Sequence, residues 1–142
     1  MGSHILLYIL WMVRYTVGSE ESATILGDEY IILDTDASEV FVGLNLIEVE
    51  ELGFCKKGEG GEFCRSKQIE IGGKVPVNTD GGLLAVGHPF GATGVRQGTE
   101  IMKQLQGRAR HQVKGADIGL THNLSGANAE HTILVYGLSP VK

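Results

Sequence analysis

The chain has 142 residues, 42% of them hydrophobic and 20% charged, with a formal net charge of -5. A chain of this size can hold one domain with a real core, since about two-thirds of its unfolded surface is buried on folding. The acidic balance and the lack of a basic run exclude the electrostatic footprint of a nucleic-acid binder. Two cysteines, Cys55 and Cys64, are too few for a disulfide framework and lack metal-ligand spacing. No metal is therefore expected, and the thiols suit a reducing, cytoplasmic setting.

In chain order, residues 5–13, ILLYILWMV, form an apolar run well short of the roughly 20 residues that a spanning helix needs. No membrane span is expected, and residues 5–17 read as one or two buried β segments. Residues 30–33 give a short strand between turn signals. Across residues 44–52, Leu44, Ile47 and Leu52 fall on one helical face, with Gly53 as a left-handed stop. Residues 55–73 are polar and glycine-rich and read as a solvated loop. VPVN at 75–78 is strand-like. DGGLLAVGHPFGATG at 80–94 follows, with Asp80 a turn residue, and then Val95, Gly98, Met102 and Leu105 recur at helical spacing before Gly107. Ala116, Ile118 and Leu120 alternate with Asp117, Gly119 and Thr121 as in a half-buried strand. His122 and Asn123 end that strand where a small-residue loop begins, and HTILVYG at 131–137 is a last apolar strand. This succession points to an α/β fold.

The chemistry concentrates at 80–94. The chain has 21 glycines, and those at 81, 82, 87, 91 and 94 fall in this stretch. Gly87 and Pro89 constrain the backbone on either side of His88, and Gly91 and Gly94 let the turn tighten into a helix. The start of a helix offers free N–H groups and partial positive charge, which favours a developing oxyanion. An imidazole placed there can take a proton from a thiol or donate to a carbonyl oxygen. On spacing alone, a glycine-rich turn whose histidine merely bonds neighbouring backbone stands beside that reading. The same holds for His122 and Asn123, with Ser125, Gly126 and Ala127 leaving amides free for a ligand or simply capping a sheet. His4, His111 and His131 show no partner in the sequence, and Cys55 and Cys64 read as incidental loop thiols.

The segments GGKVPVNTDGGLLAVGHPFGATGVRQGTEIMKQLQG and QVKGADIGLTHNLSGANAEHTILVYG resemble the carboxy-terminal domain of the thiolase superfamily. The likeness is strongest to sterol-carrier-protein and archaeal-type thiolases and runs over residues 38–138. It implies one half of a thiolase-like fold, a mixed five-stranded sheet with helices on its faces, over residues 37–142. Residues 1–36 are outside the resemblance and are expected to contribute at least one strand. The resemblance further implies an acetyl-CoA acyltransferase component that condenses or thiolyses acyl-CoA thioesters, with coenzyme A thioester as substrate and no covalently bound cofactor. His88 would be the catalytic base, and Gly87, Pro89, Gly91, His122, Asn123 and Gly126 would border the substrate.

The departures from the family pattern matter as much. The nucleophilic cysteine belongs to the amino-terminal half, which no segment here resembles, and neither Cys55 nor Cys64 matches it. Where relatives carry a polar motif before the first helix, this chain has Phe41, Val42, Gly43 and Leu44. Phe41 offers no polar atom for a water or substrate. His122, Asn123 and Gly43 stand where relatives place a second cysteine. The isolated chain is accordingly expected to be inactive. Three readings stay open: a half that pairs with a separate amino-terminal half or with itself, a non-catalytic acyl-CoA, lipid or partner-binding domain, and a scaffold for carbon–carbon cleavage with His88 as base.

Overall fold

The structure, a computed structural model, describes residues 6–8, 31–35, 42–125 and 130–137. Strands β1 (Leu6–Tyr8), β2 (Ile31–Thr35), β3 (Ile118–Ser125) and β4 (Glu130–Gly137) form one sheet in the order β1-β4-β3-β2. β1 and β3 run antiparallel to β4, while β2 runs parallel to β3. The sheet is thus mixed, and these residues supply four strands. β3 does not stop at His122: it pairs with β4 in register through His122↔Ile133, Asn123↔Thr132 and Ser125↔Glu130. The expected loop at 122–125 is strand, because the partner strand is long enough to satisfy its backbone groups.

Ile118, Gly119, Leu120, Thr121 and His122 are all buried, so the strand read as half-buried is instead covered on both faces here. On one side Ile118 and Leu120 join Val49, Phe54 and Val75. On the other, Ile101, Leu105, Val113, Ala116 and Tyr136 form a second cluster.

Helix α1 (Val42–Glu51) covers the first side. The apolar-face reading of this helix needs correction. Ile47 is 54% exposed, whereas Glu48 and Val49 are buried. Val49 fills the cluster beneath Phe54, and the Glu48 carboxylate has a polar partner waiting on β3. Gly53 ends the helix at φ 80°, a left-handed stop as anticipated.

The region expected to be a solvated loop carries helix α2 (Gly60–Arg65), and Cys55, Phe63, Cys64 and Ile69 pack on the first cluster. A Cβ at Gly60 would lie 2.3 Å from the Leu46 carbonyl oxygen, so only glycine lets α2 approach α1 this closely. VPVN is not one of the strands among the described residues, where Val77 forms only a single bridge. Val75 and Val77 donate their N–H groups to the Gln68 and Ile69 carbonyls, each at 2.9 Å, folding this segment back on its own loop.

Helix α4 (Thr93–Leu105) covers the second side, preceded by the short α3 (Gly82–Val86) and a 3-10 turn at Phe90–Ala92. Its buried stripe is displaced from the expected one. Val95 is 71% exposed and Met102 is also exposed, while Gln97, Gly98, Ile101, Gln104 and Leu105 face inward. The cause is close packing on the sheet. A Cβ at Gly119 would lie 2.1 Å from Ile101 Cγ2, and one at Gly98 would lie 2.9 Å from Tyr136 Oη. Gln104 donates to Thr79 Oγ1 at 2.8 Å and the His111 carbonyl at 2.9 Å, and accepts from the Val113 N–H at 3.0 Å. A buried amide so satisfied costs little to bury. Among the described residues no helix is long and apolar enough to cross a membrane.

Candidate active site

Gly87 ends α3 at φ 81°, a conformation that strongly favours glycine, with its N–H bonded to the Leu83 carbonyl at 2.8 Å. The chain then turns outward, and residues 84–92 are all exposed, including Gly87, His88, Pro89 and Gly91. The His88 Nδ1 lies 2.8 Å from Thr93 Oγ1. Thr93 is fully buried in the first turn of α4, so a fixed hydroxyl anchors an otherwise exposed ring. The Phe90 ring sits 5.2 Å from the imidazole, centroid to centroid, tilted by 59°. One ring nitrogen is thus tied to the protein in a residue that is otherwise exposed.

The ends of this segment are clamped together. Arg96 Nη1 donates to Asp80 Oδ2 at 2.5 Å, and Asp80 Oδ1 accepts the Gly82 N–H at 2.8 Å. Asp80 is indeed a turn residue, but its second oxygen also closes the glycine-rich segment onto α4. Arg96 carried no signal in the sequence as a partner. Asn78 Oδ1 accepts the Thr35 N–H at 2.8 Å, tying the end of β2 to the segment before the loop.

His122 and Asn123 meet the same helix from the sheet side. The His122 ring is buried, with Nδ1 bonded to Glu48 Oε1 and Nε2 2.8 Å from His131 Nδ1. Gln97 Nε2 donates to the His122 carbonyl at 3.1 Å, and Asn123 Nδ2 donates to Gln97 Oε1 at 3.3 Å. A Cβ at Gly94 would lie 3.7 Å from Asn123 Nδ2, so the strand end rests on the first turn of α4. His88 is bonded to Thr93 and Asn123 to Gln97, so both side chains contact the first two turns of one helix. His131, which showed no partner in the sequence, is the neighbour of His122. His111 Nδ1 lies 3.1 Å from the Thr79 carbonyl oxygen, outside this cluster. Gly126, Phe41 and His4 lie outside the described residues, as do the side chains of residues 42–44.

Cys55 and Cys64 are free thiols packed against the first cluster. Burial pushes both above the ordinary thiol value of 9.0, and for Cys55 the nearby Glu50 carboxylate adds to the effect. Both are therefore held in the protonated form at neutral pH, the reverse of an activated nucleophile.

A family model described as thiolase C-terminal domain-like matches residues 35–138. The chain belongs to this family. Over 92 residues it is 46% identical to an acetyl-CoA acetyltransferase of Methanothermobacter thermautotrophicus, covering 64% of this chain and 24% of that protein. Over 95 residues it is 41% identical to sterol carrier protein 2 of Bos taurus, covering 64% of this chain and 18% of that one. The solved structure of an Ltp2-ChsH2(DUF35) aldolase superposes with a TM-score of 0.62 at 31% identity, over 78% of this chain and 27% of that chain. The sheet with helices on its faces is thus a thiolase-like α/β fold, and the chain spans a quarter or less of the length of these two curated relatives.

Proposed function

We propose that this chain is the base-bearing half of a thiolase-type acyl-CoA acyltransferase, completed by a separate cysteine-bearing half. His88 takes the proton of that half's cysteine thiol, and the thiolate attacks the thioester carbonyl carbon. The acyl group passes to sulfur and the coenzyme A thiolate leaves. Claisen condensation or thiolysis then completes the turnover. The observation that carries this reading is the His88 loop itself, exposed, held by glycine geometry, and anchored by one ring nitrogen to Thr93 at the start of α4.

Two features support the need for a partner. Leu84 and Phe90, each 83% exposed, and Val95 flank His88 and would be covered by an opposing half. The chain's own thiols are packed elsewhere and held protonated. On the same reading the sheet is one half of a duplicated five-stranded fold, with Asn123 and Gly126 bordering the acyl group and coenzyme A as substrate rather than resident cofactor. Free thiols accord with a cytoplasmic setting.

A second reading is favoured by the aldolase likeness: carbon–carbon cleavage of an acyl-CoA with His88 as base and no covalent intermediate. Thiolysis assays of the chain with and without a thiolase amino-terminal half separate the two. Activity only in the mixture, lost with His88→Ala, is the expected result. Cleavage by the lone chain that survives Cys55→Ser and Cys64→Ser but not His88→Ala establishes the second reading instead. A mixture that forms a complex yet stays inert leaves a non-catalytic binding domain.

A further inference from the structure

Buried in β3 is a histidine that spends both ring nitrogens on protein partners from two different elements. Glu48 on α1 is 74 residues from His122 in the chain, and His131 on β4 is 9 residues away. An ionised carboxylate can only accept, so the hydrogen between Glu48 Oε1 and His122 Nδ1 belongs to the imidazole. The His122 Nε2 of a neutral ring is then an acceptor, and His131 Nδ1 supplies the hydrogen across 2.8 Å. The two rings lie near-parallel, 13° apart. The other Glu48 oxygen, Oε2, is buried without a hydrogen-bond partner, so among the described residues His122 is the partner of this carboxylate.

We propose that Glu48 and His131 are positioning residues that lock His122 in the Nδ1–H tautomer and clamp the end of β3 against α4. The ring is held from α1 and β4, and the backbone carbonyl is held from α4 by Gln97. Asn123, the next residue, takes its place from this clamp through the same Gln97 side chain. A histidine tautomer is set by the hydrogen bond that its other nitrogen makes. Here both bonds are internal, so the ring acts on the site through the strand it fixes. The clamp follows from these hydrogen bonds alone. Its value to acyl transfer, a rigid support under Asn123, rests on the function proposed above.

The test is a two-bond ¹⁵N–¹H correlation spectrum of the histidine-labelled full chain, without acyl-CoA or any partner. His122 is expected as a single Nδ1–H tautomer with a slowly exchanging ring proton. Glu48→Ala should mix the tautomers and speed that exchange at least tenfold, while Glu48→Gln should keep the wild-type pattern because its amide oxygen still accepts. His131→Phe should move the His122 Nε2 resonance and leave Nδ1 protonated. A wild-type ring protonated at Nε2 or averaging between tautomers overturns the proposal, and that spectrum requires no variant to fold. An unchanged spectrum in folded Glu48→Ala overturns it as well. Since no turnover is measured, a failed clamp leaves the acyltransfer reading standing, and inert reconstituted enzyme leaves the clamp standing.

Discussion

Two histidines approach the first turns of α4 from opposite kinds of surroundings. His88 stands on an exposed loop shaped by glycine geometry and held by one hydrogen bond to Thr93. His122 is buried in a strand, and both of its ring nitrogens and its carbonyl oxygen are bonded. The loop has outward-facing chemistry and little packing to lose, whereas the strand end has packing and internal bonds but no ring nitrogen left for a substrate. Exposure and rigidity are therefore divided between two histidines that meet the same helix. Perturbing the first should remove activity and spare the fold. Perturbing the second region should cost stability first.

The largest effect should come from His88→Ala in the reconstituted enzyme, where losing a general base lowers thiolysis by about 10²–10⁴-fold. Its denaturation midpoint should stay near wild type, within about 0.5 kcal/mol, as for other exposed positions; a large stability loss would erase the contrast between the two histidines. On the buried side, Gly119→Ala forces a methyl into Ile101, and overpacking of this kind costs about 1–3 kcal/mol by chemical denaturation.

Asp80→Ala tests the clamp between loop and helix. It removes the Asp80 contact of the partly buried Arg96 guanidinium and frees the Gly82 N–H, an expected loss of about 1–3 kcal/mol with faster amide exchange through residues 81–92. Gly87→Ala places a Cβ in open space but on a backbone at φ 81° and ψ 169°, a region essentially reserved for glycine, so about 1–3 kcal/mol of conformational strain is expected with no clash against a neighbour.

The smallest effect is one of pH at the α1–α2 junction, remote from both histidines. The Gly58 and Gly60 N–H groups hold the Glu50 carboxyl below its ordinary value of 4.5. A depressed carboxylate contributes stability that is present above 4.5 and is lost as pH falls through its folded value. The gap in denaturation midpoint between wild type and Glu50→Gln should therefore shrink on acidification below 4.5. A gap that is constant across that range removes Glu50 from the account.

The legible parts of the site were those written in local backbone chemistry. The glycines and Pro89 around His88 announce a tight turn into a helix because each imposes a dihedral constraint that needs no distant partner. Gly53 as a helix stop, and Ile118 and Leu120 as buried strand residues, were legible for the same local reason. The helical faces were misread where a polar residue turned inward. Ile47 and Val95 have the spacing of core residues, yet Glu48 and Gln97 take the buried places because His122 and Asn123 lie opposite them. The glycine-rich polarity of residues 55–73 likewise hid α2, whose packing depends on Gly60 meeting Leu46.

By itself, then, the sequence determined an α/β chain with a glycine-shaped histidine at the start of a helix, since periodicity and dihedral limits act between near neighbours. Only the tertiary structure decided that Glu48 faces His122, that His131 completes the chain of bonds, and that Arg96 closes the loop through Asp80. Those pairings are separated by 74, 9 and 16 positions. The order and register of the sheet set them, because a hydrogen bond depends on distance in space and carries no mark of separation along the chain.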